Sequence, residues 1–177
     1  SREEELKKEV ERLVREAEKH VEDNRKHVED SVRELEKLVK ELADKARESA
    51  DRLDKKVKED RDKRVVEKIL REAEKINKDL KDTVKKILDE IREDHKRLED
   101  NIRRLEEELR KVLKELKDRG IEERVLEELK RVVDDIRKKH KDILKRHRDV
   151  VRKVEKELRD ILREHNEVIR EVKDKLE

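Results

Sequence analysis

Histidine is the side chain whose charge changes near neutral pH, and this 177-residue chain has six of them. Two stand seven residues apart in the stretch "KKHKDILKRHRDVV", Lys138 to Val151, at positions where a heptad pattern calls for leucine or isoleucine. Stepping from Ile136 by four, three, four and three reaches His140, Ile143, His147 and Val150. Imidazoles placed there could do three kinds of chemistry: pair with other buried polar groups, take up protons as the pH falls, or ligate a metal.

The metal reading is the weakest on spacing. Residues seven apart on a helix are separated by about 10.5 Å, too far for one ion, and no two histidines stand four apart. A site across helices would have to join His95 with His147 or His27, with Asp94 as the one nearby carboxylate, so no metal and no cofactor is expected. Catalysis fares no better. Ser31, His95 and Asp94 share the letters of a triad, but a helical core offers neither an oxyanion hole nor a substrate cleft. The chain therefore reads as a non-enzyme without a small-molecule substrate, and Thr83 as a flanking surface residue.

The elements that position these residues follow from composition. Asp, Glu, Lys and Arg make up 61% of the chain and apolar residues 31%, so any core is narrow. There is one glycine and no proline, cysteine, methionine or aromatic other than histidine. Without cysteine there is neither a disulfide framework nor a thiolate site. The 55 basic and 53 acidic residues are interspersed, which leaves no stripe to follow a nucleic-acid backbone. No apolar run approaches the length of a membrane span, and "SREEELKKEV" lacks the layout of a signal peptide. The expectation is a soluble, untargeted protein, cytoplasmic on recombinant expression, with no nucleic-acid or membrane partner.

Apolar residues recur at alternating steps of three and four throughout, the signature of helix, and nothing alternates with period two. The seam runs through Leu6, Val10, Leu13, Ala17, Val28, Leu35, Leu38, Leu42, Ala46, Leu53 and Val57 in a first segment. It continues from Ile69 to Leu116 in a second and from Leu129 to Leu176 in a third. It lapses at "KEDRDKRVV", where Asp62 can cap a helix, and at "LKDRGIEERV", where Gly120 can close one. The expected fold is all-α: a single domain over 1–177, an up-down-up antiparallel three-helix bundle with coiled-coil-like packing. Its helices cover roughly 2–60, 63–118 and 121–177. Pairs such as Glu4 with Lys8 and Glu107 with Lys111 support the exposed faces by about 0.2–0.5 kcal/mol each.

About 2.2 apolar residues per heptad, raised to about 2.6 by polar residues on the seam, suit a self-contained core. No partner is then required. Val14 and Val21, Leu144 and Val151, and Leu162 and Ile169 flank the seam at seven-residue spacing, and could instead meet a second copy or a helical partner.

Antiparallel pairing sorts the polar residues on or beside the seam into three layers. Asn24 falls level with Asn101 and His140, with His20 nearby. Ser31 falls near His95 and His147, with His27 a turn away. Ser49 falls level with Asn77 and His165. All six histidines are expected near the interior. The leading reading is a set of neutral hydrogen-bond networks that fix register and topology, because an unpaired buried polar atom costs about 1–3 kcal/mol. The alternative is a pH-responsive bundle in which buried neutral histidines are forced to charge as the pH drops.

Equal idealised helices, a "KDRGIEER" loop, Glu/Lys/Arg surfaces and core layers of His, Asn and Ser resemble computationally designed helical bundles that carry buried hydrogen-bond networks. The resemblance covers the whole chain. It implies a synthetic scaffold without a natural substrate, used as a monomer, an oligomer component or a pH-responsive element. The departure from that style is "ADKARESADRLDKKVKED", poor in leucine, which is expected to fray or to mark a contact surface.

Overall fold

A computed structural model describes residues 1–60 and 62–177. Three helices account for nearly all of them: α1 (Arg2–Glu59), α2 (Lys63–Asp118) and α3 (Glu123–Leu176), with no strand among the described residues. The absence of proline and the unbroken steps of three and four explain why each runs more than fifty residues without a kink-forming residue. The leucine-poor end of α1 stays helical to Glu59, held by Leu53, which is fully buried.

The helix ends follow from local chemistry. Ser1 caps α1, its Oγ accepting from the Glu4 N–H at 3.3 Å. Asp62 caps α2 by accepting from the Arg64 N–H at 3.0 Å, and the Asp62 carbonyl starts the helix by accepting from Val65 and Val66. After α2, Gly120 has φ +75°, the Gly120 N–H donates to the Lys117 carbonyl, and the Ile121 N–H donates to that of Leu116. This is the Schellman closure, in which glycine avoids the left-handed penalty of a side chain. Its apolar partners, Ile121 and Leu116, share one core cluster. That closure occupies Ile121 and leaves Glu122 to start α3 by accepting from Val125 and Leu126, so α3 begins at Glu123 and not at 121.

Contacts group the chain into two compact units, a division for which the even sequence pattern gives no boundary. Unit 1 comprises Ser1–Ser31 and Glu93–Asp149, and unit 2 comprises Val32–Arg92 and Val150–Glu177. In a helix bundle a residue touches only its own level and the next, so no contact set spans a helix of 54–58 residues. Each unit is an up-down-up arrangement of three helical segments. In unit 1, Arg2 reaches Glu115 and His27 reaches Asp94, which sets α1 against α2 antiparallel, while Arg146 of α3 meets Glu29 of α1. In unit 2, Arg52 pairs with Glu72, Lys173 with Glu74 and Arg92 with Glu155.

The core of unit 1 includes Leu6, Val10, Leu116, Ile121 and Leu126. Unit 2 packs Leu80, Val84, Ile91, Val154 and Leu158 in one cluster and Leu53, Ile69, Ala73, Ile169 and Val172 in another. Complete burial of a leucine or isoleucine is worth about 1.5–3 kcal/mol. The seam differs from the sequence reading at several points. Leu38 is exposed, whereas Val21 and Ile169, read as flanking positions, are buried in the core. A heptad register fixes an angular sector of a helix, and small differences in helix rotation decide which edge of that sector is deepest.

Candidate functional site

In α3 the buried positions run Leu126, Ile136, His140, Ile143, His147, Val154, Leu158, Ile161, His165, Ile169 and Val172. The three histidines stand on the same helical stripe as the aliphatic core and are exposed by 0%, 1% and 2% in order. Each is a polar ring forced into the interior by spacing alone, and the three meet different surroundings.

The layer in unit 2 is closed. His165 Nδ1 lies 3.0 Å from Asn77 Oδ1, and His165 Nε2 lies 2.8 Å from Ser49 Oγ. The Asn77 carbonyl oxygen only accepts, so Nδ1 carries the proton and donates, and Nε2 accepts from the Ser49 hydroxyl. Ser49 and Asn77 are themselves buried, so one neutral imidazole joins α1, α2 and α3 and satisfies a polar group on each side. Burial holds the His165 pKa below the ordinary histidine value of 6.5. A cleft of about 190 Å³ adjoins this ring, with Arg47 and Glu164 among its lining residues.

In unit 1 a chain of ionisable groups crosses the three helical segments. His27 Nε2 of α1 lies 3.1 Å from both oxygens of Asp94 in α2, and His147 Nε2 of α3 lies 3.5 Å from Asp94 Oδ2. His147 Nδ1 then meets His95 Nδ1 at 2.7 Å, and His95 Nε2 meets Glu99 Oε1 at 2.7 Å. The His95 and His147 rings are within 6° of parallel, with centroids 4.9 Å apart. A nitrogen–nitrogen distance inside hydrogen-bond range sets them edge to edge, the geometry of an N–H···N bond. Neutral His95 and His147 carry one ring proton each, yet three contacts need one: Asp94 with His147, His147 with His95, and His95 with Glu99. Whichever tautomers are chosen, one contact lacks its proton, either a carboxylate facing a bare nitrogen or the two Nδ1 atoms facing each other bare, and a single added proton completes the chain. Burial and then His95 hold His147 below its ordinary value, His27 acts in the same direction, and Asp94 works against them.

The third layer, also in unit 1, does not close. His20, Asn24, Asn101 and His140 line one cleft of about 330 Å³, together with Ile102, Arg104, Leu105 and Glu108. Neither ring nitrogen of His140 reaches a hydrogen-bond partner among the described residues. Burial, and secondarily the nearby His20, hold its pKa below the ordinary value.

Several residues read as interior from the sequence are placed elsewhere. His20, His27 and Asn101 are exposed, and Asn24 and Ser31 are half-buried. One step off the seam turns a side chain by about 100°, toward the rim of the core and water. His27 reaches Asp94 from that rim. Glu99 is a partner that seam reading passed over, although its four-residue spacing from His95 is visible in the sequence, and Asp94, read there only as the carboxylate near a cross-helix metal site, bridges His27 and His147. Thr83 is exposed and its hydroxyl donates to the Asp79 carbonyl at 2.9 Å. No group of three or more His, Asp or Glu suited to a metal ion occurs among the described residues, and no helix there is long and apolar enough to cross a membrane.

No protein-family model matches the chain, and no curated protein does. A solved structure described as a computationally designed three helix bundle is similar over 98% of this chain and 83% of its own. Its identity is 24% and its TM-score 0.44.

The contrast between the closed and open layers gives opposite expectations for one substitution. His165→Leu leaves Ser49 and Asn77 buried without a partner and lowers unfolding free energy by about 1–3 kcal/mol. His140→Leu removes two unpaired ring nitrogens and leaves stability equal or higher. Guanidinium unfolding at pH 7.5, followed by helical circular dichroism, reads both, and a loss for His140→Leu comparable to that for His165→Leu would contradict this assignment.

Proposed function

We propose that the chain is a designed structural scaffold whose buried polar layers select one helix register and one topology, with neither a catalytic task nor a cofactor. The observation that carries this reading is His165, which bridges Ser49 of α1 and Asn77 of α2 at 2.8 and 3.0 Å through buried hydrogen bonds. Shifting any helix by one residue would strand these groups, so correct pairing is favoured over its neighbours by more than apolar contact provides. The designed origin is supported by helices of 58, 56 and 54 residues, the absence of proline, and a single glycine spent where φ is positive. We take it to work as a soluble monomer, without a nucleic-acid or membrane partner. Burial of Val21 and Ile169 in the core removes one member from each of two flanking pairs that a helical partner could have used.

A second reading, that the bundle responds to pH, is favoured by one observation: its three fully buried histidines are all held below the ordinary value. The groups facing them differ. His147 meets Asp94 and His95 from α2 and His27 from α1. His140 shares its cleft with His20 from α1 and with Arg104 and Glu108 from α2, and a second cleft with Asp134 and Arg137 of its own helix. His165 has Arg47 from α1 and Glu164 of its own helix across the adjoining cleft. A lowered folded value means that the unfolded chain binds more protons, so stability rises with pH through this range. The contribution is whole above about pH 6.5 and is lost as the pH falls toward and through the folded values.

The register reading is tested by replacing the closed layer outright, with Ser49→Ala, Asn77→Leu and His165→Leu together. The variant is expected to be at least as resistant to guanidinium as the parent, but to give doubled or broadened backbone amide signals as several registers coexist. A single sharp set of signals would count against the layer as the source of specificity. The pH reading is tested by unfolding midpoints between pH 7.5 and 5, with an expected fall whose slope is at most about 1.4 kcal/mol per pH unit for each buried histidine. Midpoints that do not move over that range would remove the pH response and leave the scaffold reading in place.

A further inference from the structure

In unit 1, His95 and His147 meet through the same atom, Nδ1, at 2.7 Å, with their rings within 6° of parallel. That separation is at the short end of the hydrogen-bond range, where charge-assisted bonds fall. The other nitrogen of each ring faces a carboxylate: His95 Nε2 lies 2.7 Å from Glu99 Oε1, and His147 Nε2 lies 3.5 Å from Asp94 Oδ2. The arrangement is symmetric in kind, imidazole against imidazole with a carboxylate behind each. While both rings are neutral, one of the three contacts sets lone pair against lone pair, between side chains that are only 16% and 2% exposed. One proton between the Nδ1 atoms removes that conflict, because each carboxylate then faces an N–H. A second has no place, since two N–H groups would point at each other across a gap that holds one hydrogen.

We propose that His95 and His147 form one proton-binding site, which takes up a single proton between their Nδ1 atoms while the bundle stays folded and excludes a second. The proposal rests on the pH reading in one respect, that buried imidazoles titrate, and differs in giving this layer a proton that completes its contacts. The surrounding charges suit one positive charge. Asp94 and Glu99 of α2 stand at its two ends, and His27 of α1 approaches Asp94 from the rim at 3.1 Å. Arg146, beside His147 in α3, is already paired with Glu29 of α1 at 2.7 Å. Glu99 lines a cleft with Arg103 of α2 and with Lys141 and Arg148 of α3, whose charges partly offset its own. Asp94 is the neighbour that raises the proton affinity of His147 against burial. His165 meets an amide and a hydroxyl, and His140 meets no partner among the described residues. The pair is therefore the first of the buried rings to charge. This layer withstands mild acid, and it opens only when a second proton forces the rings apart.

The test follows the ring nitrogens of the full chain, labelled with ¹⁵N-histidine, from pH 8 to pH 5, with helical circular dichroism recorded on the same samples. The expected result, before any loss of helix, is one transition in which both Nε2 atoms become protonated. In the same transition the two Nδ1 atoms converge on shifts midway between protonated and bare. Two variants at partly exposed positions locate the proton. Glu99→Gln keeps an acceptor for His95 but removes the charge, and is expected to weaken proton uptake by the pair about tenfold. His27→Gln is expected to leave the single transition in place, at the same pH or higher. Either ring reaching a fully protonated state on both nitrogens in the folded chain would overturn the proposal. So would a pair that stays neutral down to pH 5 or to the loss of helix, or a Glu99→Gln transition at the parent's pH. The two pH claims separate cleanly: flat unfolding midpoints with a singly protonated pair remove the stability response alone, and falling midpoints with a neutral pair remove the shared proton alone.

Discussion

A buried polar atom must find its partner within the protein, and in a core this narrow few partners are within reach. Everything distinctive about the bundle depends on that constraint. With 61% of the chain charged, the apolar stripe of each helix is only wide enough to meet the other two. A histidine on such a stripe has no route to water by a change of rotamer. It must be met from the facing helices at a set level, and His165 is met on both nitrogens. The pairing converts a loose hydrophobic preference for helix association into a choice of one alignment.

The three histidines of α3 share spacing and burial and differ in what faces them. His165 has a neutral acceptor and a neutral hydroxyl and needs no charge to be satisfied. His147 sits in a chain of two carboxylates and three imidazoles that holds one proton fewer than its contacts could use, so burial and Asp94 pull its proton affinity in opposite directions. His140 has neither arrangement, and its buried nitrogens meet no partner among the described residues. Three places on one buried helical stripe thus yield a structural tie, a proton-poor relay and a ring without a partner, according to residues contributed by other helices.

Much of this was legible in the residues themselves. The step pattern gives three helices and their limits to within two residues, because helix period and capping are local properties: Asp62 and Gly120 each act within one turn. The His165 level was also readable, since two short loops fix the antiparallel register and Ser49, Asn77 and His165 fall on it. Depth was not readable. His20, His27 and Asn101 lie one position off the seam, where helix rotation rather than spacing decides between core and rim. Glu99 was hidden for a different reason: in so charged a chain, one more carboxylate looks like solvated surface. It meets His95 one turn away on its own helix, whereas Asp94 meets imidazoles of the facing helices.

The central claim, that a neutral His165 ties three helices together through both ring nitrogens, is tested most directly by its tautomer. A long-range ¹H–¹⁵N correlation spectrum at pH 7.5 distinguishes a protonated from a bare ring nitrogen. The account predicts a single His165 form with the proton on Nδ1, donated to Asn77, and a bare Nε2 accepting from Ser49. A proton on Nε2, or the averaged signals of a ring exchanging freely between tautomers, would contradict it.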